Sequence, residues 1–228
     1  MSDRNSYLRE EIIRRRKERS REESVDEIIS QYSGWFQDSP KIELVLSARD
    51  YPYVYNKLEF DQHTFDTNFK KFPERSFLLD GFEYKLFDPE GEINNNTSWI
   101  NISEGSRYPI SIVIKLDGTI YLVIKLNEKV EEGVIIKTDW LQCLLTRLFE
   151  EIIEIYSNMN YSGDKMVQVR IVNFQNCKIS IGHSRKLYLS KVSENLVVRD
   201  FVFHRDHPPH FPNNVFNYLR GLFSFTTD

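Results

Sequence analysis

The chain has 228 residues, 40% of them hydrophobic, and its 30 basic and 34 acidic side chains leave a net charge of −4. A chain of this size buries roughly 70% of the surface it exposes when unfolded, so it needs neither disulfides nor metal, and one domain with an appendage is the expected organisation. The near balance of charge excludes wholesale coating by nucleic acid and confines any such contact to a local patch.

Residues 1–33 read as a charged helical connector or oligomerisation segment, and residues 34–228 as a single α+β domain. Between Ile13 and Val25 there is no hydrophobic residue, only RRRKERSREES, which cannot be the buried face of anything. Ser24 followed by Glu27 has the spacing of a capping box, which predicts a break near Arg21 to Ser24. A short second helix then docks through Val25, Ile28, Ile29 and Tyr32. From Arg9 to Arg21 there are seven basic and three acidic residues. At helical spacing they stitch a solvated face together; as an unpaired excess they would touch phosphate.

After Pro40 the pattern turns to β. Ile42, Leu44 and Leu46 alternate with Glu43 and Val45, as expected of a strand with one face buried, and Tyr51, Tyr53 and Tyr55 repeat the period of two. Such a tyrosine stripe covers a core edge or offers a stacking platform. Arg14, Arg15, Arg16 and Lys17 with Tyr51, Tyr53 and Tyr55 are the candidate nucleic-acid-binding set. Asp61 to Arg75 shows no regular pattern, and Ser76 to Phe87 predicts a strand pair or a bulged strand around Asp80-Gly81. Asp88 to Tyr108 reads as a long loop interrupted by a strand at Ser98 to Ile102. Asp117-Gly118, between ISIVIKL and TIYLVIKL, predicts a tight antiparallel hairpin, and Val134 to Ile136 a short strand.

Thr138 to Asn160 is the landmark of the chain. Trp140, Leu141, Leu144, Leu145, Leu148, Ile152, Ile155 and Tyr156 recur at three- and four-residue steps, so they share one helix face, and Phe149 and Ile153 widen it enough to cover a sheet. Thr138 is the expected N-cap, with Asp139 in the first turn. Beyond it, Met166 to Phe174 predicts a strand that hairpins across Gln175-Asn176 into Cys177 to Ile181. Leu187 to Leu189 and Leu196 to Phe203 give further strands, and Asn213 to Phe223 a short helix started by Pro212. The class is α+β: a largely antiparallel sheet packed on one long amphipathic helix, with charged N-terminal helices and a short C-terminal helix.

Chemistry is sparse. His204, Arg205, Asp206, His207 and His210 crowd seven residues with metal-ligand types, but Pro208-Pro209 holds the backbone extended, so they read as an ordinary exposed loop or as a ligand or partner loop, with a metal-dependent hydrolase as an outlying alternative. His183 and Ser184 are adjacent on a strand and point to opposite faces. No catalytic residue, metal site or cofactor is assigned. Cys143 and Cys177 read as buried small hydrophobes of a reducing compartment. No apolar run approaches the ~18 residues of a membrane span, so the expectation is a cytoplasmic protein without a membrane partner.

Asp3-Arg4-Asn5-Ser6, Glu11-Ile12, the Pro40 to Leu46 strand, Leu79-Asp80-Gly81-Phe82 and the Leu116 to Thr119 hairpin precede the long helix. Leu187 to Leu189 and the aromatic Val215 to Phe223 helix follow it. This succession resembles the C-terminal domain of prokaryotic AlbA-type, Schlafen-like proteins, described as ATP-binding or DNA-binding. The sequence departs from that pattern at Gly163-Asp164, where the family tends to have prolines, and at Phe216 and Tyr218, which replace an expected tryptophan. The resemblance implies that nucleotide, nucleic-acid or nuclease chemistry lies in an upstream AlbA-type domain. This chain would then be a non-enzymatic sensor, regulatory or protein-interaction domain, in a setting of anti-phage defence, with a protein partner or a second copy of itself. The alternative expectation is a module binding RNA or DNA for a nuclease domain.

Overall fold

The structure, a computed structural model, describes residues 2–49, 76–79, 82–85, 92–94, 98–103, 109–115, 117–126, 129–130, 133–158, 161–180, 187–204 and 211–225. These form an α+β fold whose largest element is a seven-stranded antiparallel sheet. Its order is β13-β10-β1-β7-β6-β5-β4. Here β1 is Lys41–Ala48, β4 Glu92–Asn94, β5 Ser98–Ser103, β6 Ile110–Lys115, β7 Ile120–Lys125, β10 Lys165–Val172 and β13 Leu196–Phe203. A five-stranded sheet, β14-β12-β11-β9-β8, holds Phe223–Phe225, Leu187–Ser190, Cys177–Ser180, Gly133–Lys137 and Lys129–Val130 in that order. Ser76–Leu79 (β2) and Phe82–Lys85 (β3) pair antiparallel, the first of the two arrangements expected of that stretch.

The long helix is α2, Thr138–Asn158, and its expected apolar face is buried, except that Ile153 at its margin is half-buried. It packs on the side of the main sheet lined by Ile42, Leu44, Leu46, Ile112, Leu122, Val167 and Val169. Each large apolar side chain so buried is worth roughly 1.5–3 kcal/mol, so this layer dominates stability. Helix α3, Phe211–Gly221, adds Val215, Phe216 and Leu219 to the same core. It begins two residues before Asn213, with Pro212 inside its first turn, where a missing amide proton costs nothing.

The pairing of β10 and β11 departs from the sequence pattern. They are not a hairpin: β10 lies between β1 and β13, whereas β11 runs parallel to β9 and antiparallel to β12. The chain leaves one sheet for the other at Asn173, whose φ of 60° is open to asparagine at little cost. The Asp117-Gly118 hairpin forms as expected, with Gly118 at φ 82° and Lys115 accepting from the Gly118 amide at 3.0 Å. Tyr156 of α2 donates to the Gly118 carbonyl oxygen at 2.8 Å.

The β1 strand is buried on both faces, because a second layer covers the side opposite α2. That layer is the C-terminal part of α1, Ser2–Tyr32, one uninterrupted helix of 31 residues. Arg21, Ser24, Val25, Ile28, Ile29 and Tyr32 follow helical spacing, and Val25 to Tyr32 meet Val45, Val113, Tyr121 and Val123 from the sheet.

Candidate functional site

The predicted break in α1 is absent, and the capping box does not form. Ser24, 5% exposed, turns its hydroxyl to the sheet instead, donating to Asp117 Oδ2 at 2.5 Å and lying 3.2 Å from Thr119 Oγ1. Lys115 Nζ reaches both Ser24 Oγ at 3.2 Å and Glu27 Oε2 at 2.7 Å. The two residues of the expected box are thus partners of the β6–β7 hairpin, and the helix runs through. Its N-terminal half is supported by its own charges. Glu11 pairs with Arg14 at 2.8 Å and Arg15 at 2.9 Å, Glu18 with Arg14 at 3.4 Å, and Glu23 with Arg19 at 2.9 Å. Hydrogen bonds from Arg14 and then Arg15 lower the Glu11 pKa to about 2.

Of the expected basic set, Arg14 and Arg15 are therefore engaged within the helix, and Arg16 and Lys17 lie exposed beside them. Tyr51, Tyr53 and Tyr55 lie outside the described residues. From residue 9 to residue 20 the helix is almost wholly exposed, and Tyr7, Ile12 and Ile13 are large apolar side chains in water.

Between α1 and the sheet lies a buried charge cluster that the alternation in β1 misplaces in solvent. Glu43 is 1% exposed and Lys41 2%, and they pair at 2.8 Å. Arg170 of β10 donates from Nε to the other Glu43 oxygen at 2.8 Å. Lys41 Nζ also donates to the carbonyl oxygens of Ser33 and Trp35, at 2.6 and 2.7 Å, just past the last turn of α1. A cation there suits the negative end of the helix dipole and satisfies carbonyls the helix leaves open. The Tyr121 hydroxyl, buried beside these groups, has its pKa raised well above the ordinary value, first by burial and then by the Glu43 charge. The polar character of Glu43 and Arg170 within their strands was visible in the sequence, but neither the pairing of those strands nor the helix that covers them was.

Next to this cluster α1 does not cover the sheet fully. The α1-facing side of β10 is only half-buried, and an open cleft of about 290 Å³ lies between α1, β1, β10 and β13. Arg21 and Asp26 stand on the helix wall, Asp200 on the outer strand, and Val45 and Ser47 on β1. Gln168 Nε2 donates to Asp200 Oδ1 at 3.2 Å. The Nε of Arg21 is buried with no hydrogen-bond partner among the described residues. None of these residues stands out in the sequence, since they come together from four elements; the polar alternation of Gln168 and Arg170 is the one trace.

Of the histidine loop, His204 is described: it follows β13, is exposed, and its Nδ1 lies 3.3 Å from Asp164 Oδ2, which Arg49 also meets at 3.0 Å. Arg205, Asp206, His207 and His210 lie outside the described residues, as do His183 and Ser184. Among the described residues, no three His, Cys, Asp or Glu side chains cluster closely enough to hold a metal ion. Cys177 is buried, as expected, but Cys143 is exposed, because it sits beside Gln142 on the face of α2 turned away from the core. No helix among the described residues is long and apolar enough to cross a membrane. No family model, curated protein or solved structure matches the chain.

Proposed function

We propose that this chain is a sensor or protein-interaction domain in which α1 is the output element. The observation that carries this reading is the division of one continuous helix into two regimes. Its last third is bound to the sheet by Ser24, Ile28 and Tyr32, while its first 20 residues project with Ile12 and Ile13 exposed. A helix of 31 residues is about 46 Å long, so an event under its docked end is carried to a distant partner as a rigid-body movement. The partner is an effector domain, of the AlbA type that the resemblance implies, or a second copy of the chain. Anti-phage defence is the setting that resemblance implies.

The test compares the full chain, joined to its effector, with a form lacking residues 2–20. Effector activity or self-association that depends on the arm supports the reading. An effector indifferent to the deletion, from a chain that also binds no partner, overturns it. A nucleic-acid role through Arg16 and Lys17 would instead show as salt-sensitive RNA or DNA binding, abolished by charge reversal at those two residues.

A further inference from the structure

Resting on the sensor reading, we infer that the cleft beneath α1 binds a free α-amino acid with an apolar side chain, its carboxylate on Arg21 and its ammonium between Asp26 and Asp200. The Arg21 side chain, half-buried on the helix wall of the cleft, makes no ion pair among the described residues, and its Nε is enclosed without an acceptor. A ligand carboxylate against the terminal guanidinium nitrogens supplies the counter-charge that the described residues do not. An anion alone does not fit, because Glu22 and Asp26 on the helix and Asp200 on β13 line the same cleft. A cation alone does not fit either: it leaves Arg21 unanswered and is repelled by it.

A zwitterion answers both sets at once. Asp200 is held by Gln168, whose amide donates to Oδ1 at 3.2 Å, and Oδ2 is the oxygen that a ligand ammonium would take. Between the charged walls, Val25, Val45 and Met166 give an apolar surface, and Met166 is a side chain that adapts to the shape of what it meets. The volume of about 290 Å³ is enough for a single amino acid. Since Arg21 and Asp26 lie on α1 and Asp200 on the sheet, the ligand bridges the helix to the sheet.

The experiment titrates the full chain with a panel of free α-amino acids by calorimetry and thermal shift. At least one apolar member is expected to bind and raise the melting temperature. Its N-acetyl and its α-amide forms, which each remove one charge, should bind about tenfold or more weakly. Arg21→Gln and Asp200→Asn, checked for folding by circular dichroism, should lose affinity to a similar degree. The inference is overturned if no amino acid binds, or if binding is indifferent to both blocking groups and both substitutions. Amino-acid binding that leaves partner engagement by α1 unchanged refutes the sensor reading and retains the ligand; partner engagement through α1 without such binding does the reverse.

Discussion

The Ser24 hydroxyl donates to the Asp117 carboxylate at 2.5 Å, across 93 residues of chain. The other Asp117 oxygen accepts from the Thr119 amide at 2.8 Å, so one carboxylate both shapes the β6–β7 turn and holds α1 to it. Asp117→Ala should therefore cost about 1–3 kcal/mol, because it removes the acceptor of a buried hydroxyl and of a turn amide together. Ser24→Ala, which removes the smaller partner, should cost about 0.5–1.5 kcal/mol. Urea unfolding of both variants measures the difference, and equal costs would mean that the turn does not depend on Asp117.

The Lys41–Glu43 pair makes a sharper case. Glu43→Gln removes the one negative charge that the buried Lys41 and the half-buried Arg170 share, and should cost about 3–5 kcal/mol. The surface pair of Arg147 and Glu150 has a similar distance, 2.9 Å, yet Glu150→Ala should cost no more than about 1 kcal/mol, since water screens it. Equilibrium unfolding of the two variants decides whether burial or distance governs the contribution.

Thiol chemistry should separate the cysteines. Burial pushes the Cys177 thiol up to about 12, whereas Cys143 is exposed on α2. At pH 8 the native protein should take up one equivalent of iodoacetamide, at Cys143, and the unfolded protein two. Peptide mapping by mass spectrometry identifies the site, and rapid native labelling of Cys177 would contradict the packing of β11.

The two regimes of α1 predict opposite effects of disrupting it. Lys17→Pro breaks the helix in a stretch that is exposed among the described residues, and should reduce helicity while leaving the melting temperature of the core unchanged. Ile28→Ala, at a fully buried position against Val45 and Tyr121, should cost about 2–5 kcal/mol. Calorimetry on both variants tests the division, and a large fall in melting temperature for Lys17→Pro would place the arm inside the cooperative unit.

Acid should loosen the arm before it unfolds the core. The folded pKa of Glu11 lies at about 2, below the ordinary 4.5, so its pairing with Arg14 and Arg15 supports the helix above the ordinary value. That support is lost as pH falls from about 4.5 through about 2, when the carboxylate becomes protonated. Far-UV circular dichroism should show a partial, salt-sensitive loss of helix in that window, and Glu11→Gln should lack it.

The elements that periodicity could reveal are those whose burial is one-sided. Helix α2 shows its face at every third and fourth residue because the other face meets water, and the Asp117-Gly118 hairpin announces itself through the backbone its turn requires. The β1 strand looked half-exposed because Glu43 is polar, and no local pattern shows that Lys41, Arg170 and α1 together bury it. The same holds for Ser24, whose capping spacing was real but lost to a partner 93 residues away. The cleft was illegible for the same reason. Arg21, Ser47, Gln168 and Asp200 belong to four elements and meet only once the sheet order is set. Tertiary contact, not local preference, decides such positions.

The β6–β7 turn joins the two layers of the protein like a rivet. On one side Asp117 and Thr119 receive Ser24 of α1; on the other, the Gly118 carbonyl receives Tyr156 of α2. Three consecutive residues thus hold helices on opposite faces of a sheet that otherwise keeps them apart. A sliding or tilting of α1 loads a fastening whose far head is seated in the largest core of the molecule. The helix can pivot about this point more readily than it can leave it.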